Sequence, residues 1–253
     1  MLRAVYADMD GTLLGARASL FHDADGAFSL LGARALEACA RADVELVPYS
    51  GRRQSTLLHD ARLLGVRSYI FEAGCGMVLD GEVEWLAESG DDSGANSLLL
   101  SRYAGRLEQY DPWQRGRESS RLYLGRGVSA VEADELLIEE GFEGWRLVDN
   151  GLLHGAGDAT ARAFHLVPRS ASKARAVAAH MQARGFSIDE VVAVGDSMED
   201  MGAASVVGTF WLVANALPEV HDAARGLPNV RVAEGLNGAG VYEAVITELA
   251  ERR

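Results

Sequence analysis

Apolar residues along this chain come in two rhythms. Short, nearly unbroken apolar runs recur at residues 2–6, 44–49, 69–71, 191–194, 209–213 and 230–232. Runs of this length, bounded by polar residues and glycine, read as buried strands. Between them the apolar positions are spaced as on one face of a helix. Leu30, Ala33, Leu36 and Ala40 form one such face, with Ser29 as its N-cap, and residues 54–64 form a second. Ser172 opens another through Val177 and Met181, one starts near Glu199, and residues 241–249 close the chain. Strand alternating with helix predicts parallel pairing and an α/β fold.

The rhythm breaks in the middle. Residues 77–79 and 83–86, around Asp80-Gly81, have the pattern of a hairpin. Residues 88–95 are polar and acidic, as in a linker. Helical spacing then runs over 97–110 and again over 130–140, with a strand predicted at 121–124. A second hairpin is expected across Asp149-Asn150, joining 145–148 to 151–154, and a strand at 163–167. The expected organisation is one core domain, residues 1–81 and 168–253, interrupted by a smaller mixed unit at 82–167.

Composition narrows the function classes. The chain is 48% hydrophobic and 24% charged, as in ordinary soluble globular proteins. A formal net charge of −13 argues against nucleic acid or an anionic membrane as main partner, because both need a basic surface. Cys39 and Cys75 are two isolated thiols without metal spacing, which suggests a reduced compartment. The first apolar run is too short for a signal peptide, and no stretch approaches the roughly 18 apolar residues of a membrane span. A cytoplasmic protein is the expectation.

The candidate chemistry lies where the predicted strands end. Asp8-Met9-Asp10-Gly11-Thr12 follows the first run directly. In open α/β sheets, ligands sit at the carboxyl ends of strands. Alone, Asp-Met-Asp-Gly also reads as an acidic turn. It gains meaning from Ser50-Gly51-Arg52 after the second run, Lys173 at a helix start, and Gly195-Asp196-Ser197-Met198-Glu199-Asp200 after the 191–194 run.

In that order and placement, these residues resemble the haloacid dehalogenase-like phosphohydrolases. Asp8-Met9-Asp10-Gly11-Thr12 matches the family's first motif, Ser50 the second, Lys173 the third and Gly195 to Asp200 the fourth. The insert resembles the mixed α/β cap of the sugar-phosphatase branch, which includes Cof-type, sucrose-phosphate and mannosyl-3-phosphoglycerate phosphatases. The resemblance implies a Rossmann-like core with a mostly parallel sheet flanked by helices, plus an inserted α+β cap. It implies a Mg²⁺-dependent phosphatase that hydrolyses a small phosphorylated metabolite, a sugar phosphate or phosphoglycerate-type ester, through an aspartyl phosphate. Asp8 would be the nucleophile and Asp10 the general acid, then base. Ser50 and Lys173 would bind the phosphoryl group, with Gly51 and Arg52 beside the substrate. Asp8, Asp196, Asp200 and the backbone carbonyl of Asp10 would serve the cation. A monomer or homodimer is expected.

Two positions depart from that pattern. Glu199 stands where the branch often has Asn, and Ala73, in Glu72-Ala73-Gly74, where it often has Asn as well. In the cap, Arg115, Arg117, Arg121 and His154 are candidates for contacting the leaving group, although arginines in mixed loops are ordinarily solvated. Trp85, Trp113 and Trp145 read as packing or hinge residues. Two alternatives stay open from sequence: a phosphomutase, which returns phosphate to another hydroxyl, and a non-catalytic phosphometabolite-binding module.

Overall fold

A computed structural model describes residues 1–88, 90–152 and 161–252. The chain opens with β1 (Ala4–Ala7), α1 (Leu31–Arg41), β2 (Glu45–Pro48) and α2 (Gln54–Leu64). Next come β3 (Tyr69–Phe71), β4 (Gly76–Leu79) and β5 (Glu82–Trp85). The middle holds α3 (Ser93–Arg102), β6 (Leu107–Gln109), α4 (Asp111–Gln114), β7 (Arg121–Gly125), α5 (Ala130–Glu139), β8 (Trp145–Leu152) and β9 (Arg162–Pro168). The last third holds α6 (Lys173–Arg184), β10 (Val191–Gly195), α7 (Met198–Met201), β11 (Thr209–Leu212), α8 (Pro218–Ala224), β12 (Val230–Val232) and α9 (Asn237–Glu251).

The main sheet is parallel throughout, in the order β12-β11-β10-β1-β2. β1 and β10 are its central pair, and every residue of both is buried. This is why they read as unbroken apolar runs: helices cover both faces, so neither face is polar. Val5, Ala7, Leu46, Val192 and Val194 belong to the core shared with α1, α2 and α9. Ala4, Tyr6, Val47, Ala193 and Phe210 belong to the core shared with α6 and α8. Because β1, β2 and β10 run side by side, their carboxyl ends bring the segments after Ala7, Pro48 and Gly195 to one edge.

The inserted part has its own core. The antiparallel sheet β6-β7-β9-β8 buries Leu107, Tyr123, Leu147 and Phe164 against Leu99 of α3 and Leu137 of α5. It forms the cap over the strand ends. A small separate cluster, Ala73, Cys75, Ala87, Val148, Val167 and Ala171, lines the seam between cap and core. Among the described residues, no helix is long and apolar enough to cross a membrane.

Several sequence expectations need correction. β3 pairs antiparallel with β4 and meets the main sheet only at the Tyr49–Ile70 bridge. The helix expected to start at Ser29 has Leu30 as its N-cap, although the Ser29 hydroxyl accepts the Leu31 N–H at 3.3 Å. The helix expected over 97–110 ends at Arg102, and Leu107 lies in β6. The hairpin expected across Asp149-Asn150 is instead a continuous strand, β8, with a bulge between Asp149 and Leu152. Turn-forming residues here make an irregularity in a ladder, a common use of such residues beside functional sites.

Glu72 and Ala73 adopt positive φ of 49° and 55° without being glycine. Gly74 follows at φ +91°, where a β-carbon would lie 2.2 Å from the Ser172 carbonyl oxygen. The backbone thus passes directly against the start of α6. Gly74→Ala is expected to destabilise the protein by more than about 2 kcal/mol, from backbone strain plus overpacking. Denaturant unfolding would measure it, and a change within error would show that the close approach is not needed.

Candidate active site

Asp8 leaves the end of β1 buried, and its N–H donates to the Val194 carbonyl of β10 at 3.0 Å. Lys173, the first residue of α6, is fully buried beside it. The helix start is fixed by Ser172, whose hydroxyl accepts the Arg175 N–H at 3.1 Å. The Lys173 ammonium donates to Asp8 Oδ1 at 2.7 Å and to Asp200 Oδ1 at 2.5 Å, and lies 4.9 Å from the centre of the Tyr49 ring. Asp200 is held by a capping box at the start of α7: its Oδ2 accepts the Ser197 N–H at 3.1 Å and the Ser197 hydroxyl at 2.6 Å.

Asp196 completes the cluster. Ligand oxygens of Asp8, Asp196 and Asp200 all lie within 4.8 Å of one another. Thr12 donates its hydroxyl to Asp196 Oδ1 at 3.0 Å. Gly11, at φ +85°, admits Asp196, since a β-carbon there would sit 2.7 Å from Asp196 Oδ2. Three acids therefore face one ammonium. Burial, with the neighbouring acids, pushes the Asp8 carboxyl well up despite Lys173. Burial and then Asp200 push Asp196 up to about 7. Burial pulls the Lys173 ammonium down, but Asp200 and Asp8 more than reverse this, and it stays charged. The donor set is all oxygen and carries more negative charge than Lys173 balances. Such a site fits a hard divalent cation.

Asp10 faces away from this cluster. Its two oxygens accept from Arg52, Oδ2 from Nε at 2.7 Å and Oδ1 from NH2 at 2.6 Å. Arg52 also donates to Asp60 of α2 at 2.7 Å, so it is fixed from both sides. Ser50 is buried at the end of β2, and its hydroxyl accepts the Arg52 N–H at 3.2 Å. The two acids that stand two residues apart in sequence thus have different partners: Asp8 an ammonium in the interior, Asp10 a guanidinium at the mouth.

Glu199 points to the cap. It accepts from Arg146 of β8 at 2.8 and 3.1 Å, and from the Lys173 N–H at 3.3 Å. It is not a member of the Asp8–Asp196–Asp200 cluster. Glu72, fully buried, accepts from the Glu118 and Ser119 N–H groups and the Ser120 hydroxyl at 3.2, 3.1 and 2.8 Å. Two core carboxylates thus hold the cap at two places. Of the cap candidates, Arg121 is engaged by Asp92 within the cap at 2.5 and 2.6 Å. The Arg115 carbonyl accepts from Arg53. Arg117 is near Glu72 and Cys75, and His154 lies outside the described residues. Trp145 is buried, whereas Trp85 and Trp113 are partly exposed and pack edge-on against Phe71 and Tyr110.

Sequence reasoning missed Arg146, Glu72's role, Asp60, Asn150 and His165. Arg146 and Glu72 act across long sequence separations, Asp60 lies eight residues from its partner Arg52, and none sits in a local pattern. A cavity of about 330 Å³ opens beside Asp196, lined by Gly15, Arg17, Asp149, Gly151 and Asn215 among others.

A sequence model of the family described as haloacid dehalogenase-like hydrolase matches residues 156–242, which hold Lys173, Asp196 and Asp200. Over that segment the chain is similar to the haloacid dehalogenase-like hydrolases. Over nearly its whole length the chain is similar to relatives that are phosphatases. It is 29% identical to a phosphoglycolate phosphatase of Pyrobaculum neutrophilum, over 96% of this chain and 94% of that one. A phosphoglycolate phosphatase of Methanothermobacter thermautotrophicus is 26% identical, over 96% and 97%. Among solved structures, the sucrose-phosphatase of Synechocystis superposes with a TM-score of 0.75 at 15% identity, covering 98% of each chain. Thermoplasma acidophilum 0175 gives a TM-score of 0.70 at 20% identity, covering 98% and 99%. This family fold accounts for the layout seen here, with acids from β1 and β10 meeting a lysine from α6 under a cap.

The raised Asp196 carboxyl has a consequence for stability. An unfolded Asp loses its proton near pH 4, whereas Asp196 in the folded chain keeps its proton up to about 7. Between these values the folded state binds more protons, so stability falls as pH rises. In the presence of a chelator, the melting temperature is expected to drop by several degrees from pH 4.5 to pH 7.5. Asp196→Asn should flatten that slope, and an equally steep slope in the variant would assign it to other groups.

Proposed function

We propose that this chain is a Mg²⁺-dependent phosphatase that hydrolyses 2-phosphoglycolate, or a closely similar small phosphorylated acid, through a phosphoryl intermediate on Asp8. The observation that carries the reading is the buried Lys173 ammonium shared by Asp8 and Asp200 within reach of Asp196. Full-length similarity to several phosphoglycolate phosphatases supports the choice of substrate.

Asp8, Asp196 and the Asp10 backbone carbonyl would hold Mg²⁺, with Asp200 beside them; when bound, the ion neutralises charge among the acids and on the phosphoryl oxygens. The rest falls to the chain's own groups. Lys173 aims Asp8 and opposes the burial that pushes its carboxyl up, and with Ser50 it binds phosphoryl oxygens. An Asp8 oxygen forms a bond to phosphorus as the bond from phosphorus to the leaving oxygen breaks. Asp10 gives that oxygen a proton. Water then attacks phosphorus, Asp10 takes its proton, and the bond to Asp8 breaks. Arg52 keeps Asp10 at the mouth, where a leaving alcohol and then water arrive. The cap at residues 82–167 excludes bulk water and selects the leaving group.

Three measurements test this. With Mg²⁺, purified protein should release phosphate from 2-phosphoglycolate with a kcat/KM at least about 10⁴ M⁻¹s⁻¹, and a chelator should abolish release. Asp8→Asn should remove activity on every ester. Asp10→Asn should slow turnover by about 10² to 10⁴ while still allowing phosphorylation of Asp8 by esters with good leaving groups. No phosphate release from a broad ester panel, or equal loss of the covalent step in both variants, would overturn the reading.

A further inference from the structure

Asn150, His165 and Arg117 of the cap have no task in the chemistry just described. His165, on β9, is 2% exposed, and Asn150 lies in the β8 bulge. Both meet the core at Gly51: a β-carbon on Gly51 would lie 2.8 Å from His165 Nε2 and 3.2 Å from Asn150 Nδ2. They therefore sit over the loop that carries Ser50 and Arg52. Yet His165 Nδ1 and Asn150 Oδ1 are buried with no hydrogen-bond partner among the described residues. Buried polar atoms left unpaired are costly, and in native proteins they call for an explanation.

Arg117 supplies a second observation. Its Nε donates to the Trp113 carbonyl at 3.0 Å and its NH1 to the Ser120 hydroxyl at 3.0 Å. Among the described residues no carboxylate touches it. Glu72 is the nearby acid, and its oxygens are already taken by Glu118, Ser119 and Ser120. Burial, then Arg117 and Lys173, keep His165 well below the usual imidazole range. His165 is thus neutral, with one N–H to give, and it feels the cations on both sides. Polar groups run from the phosphoryl lysine outward to a guanidinium that, among the described residues, has an acid near it in Glu72 but no carboxylate in contact.

We propose that Asn150, His165 and Arg117 form the leaving-group subsite, and that it takes the carboxylate of a short phosphorylated hydroxy acid. Arg117 supplies the charge, and His165 and Asn150 each supply a hydrogen bond. A half-turn of the Asn150 amide exchanges its oxygen and NH₂, which puts a donor where the unpaired oxygen now lies. The proposal rests on the phosphatase reading and explains how that site would choose an acid.

The test compares esters that differ only at the far end: 2-phosphoglycolate, ethyl phosphate without the carboxylate, and phosphoethanolamine with an ammonium. p-Nitrophenyl phosphate reports the phosphatase itself. Ratios of kcat/KM on one protein sample cancel any misfolded fraction. The wild type should prefer phosphoglycolate to ethyl phosphate. Arg117→Gln should cut that ratio about 10- to 100-fold, chiefly through KM, and Arg117→Lys should restore part of it. Asn150→Asp should cut it too, and shift preference toward phosphoethanolamine. Unchanged ratios in both Arg117→Gln and Asn150→Asp, or a wild type indifferent to the carboxylate, would overturn the subsite while leaving the phosphatase reading intact. A wild type that prefers another carboxylated ester would keep the subsite and remove phosphoglycolate as substrate. Inactivity on p-nitrophenyl phosphate and on all other esters would overturn both.

Discussion

The interior placement of Lys173 is the constraint on which the rest of the molecule depends. An ammonium without water must be paired, or it gives up its proton. Here Asp8 and Asp200 pair it from the ends of two adjacent strands, and the Tyr49 ring lies against it. Each partner depends in turn on a separate piece of backbone: the β1–β10 pairing for Asp8, the capping box for Asp200, and the Ser172 cap with the passage past Gly74 for the lysine itself. The fold is thus a device for bringing one ammonium and three acids to a point from three remote parts of the chain. The excess of acid over base there is what makes the point attractive to a cation and to the phosphate that a cation accompanies.

The cap is tied to the same point. Glu199 bonds the backbone N–H of Lys173 and the side chain of Arg146, so one carboxylate spans the helix that carries the lysine and the strand that covers it. Glu199 departs from the family pattern in the fourth motif, and this contact is the physical reason it is tolerated: it serves the cover instead of the metal cluster. Glu72 does the same on the other side, and the left-handed backbone at Glu72 and Ala73 turns its side chain beneath the 118–120 loop. Ala73, the other departure, is small enough to be buried in the seam.

Much of this was legible in the sequence. α2, β3 and β10 lie where apolar spacing puts them, because strands buried on both faces and amphipathic helices leave strong periodic marks. The clustering of Asp8, Asp196, Asp200 and Lys173 followed from strand ends and motif order. What failed were elements whose residues have two local meanings. Leu107 fits a helical face after Tyr103 but lies in a strand, and Asp149-Asn150-Gly151 is a turn by composition but a bulge in β8. The pairs Arg146–Glu199 and Arg52–Asp60, and the neighbours His165 and Gly51, had no mark at all. They arise from tertiary approach, which no period records.

The seam between cap and core has a kinetic consequence. Its lining of three alanines among Cys75, Val148 and Val167 contains no side chain with many rotamers. When the two surfaces part, those groups gain almost no freedom, and when they meet again almost none is lost. The apolar part of the seam therefore reseats without a rotamer search, which is left to the Arg146–Glu199 pair and Glu72.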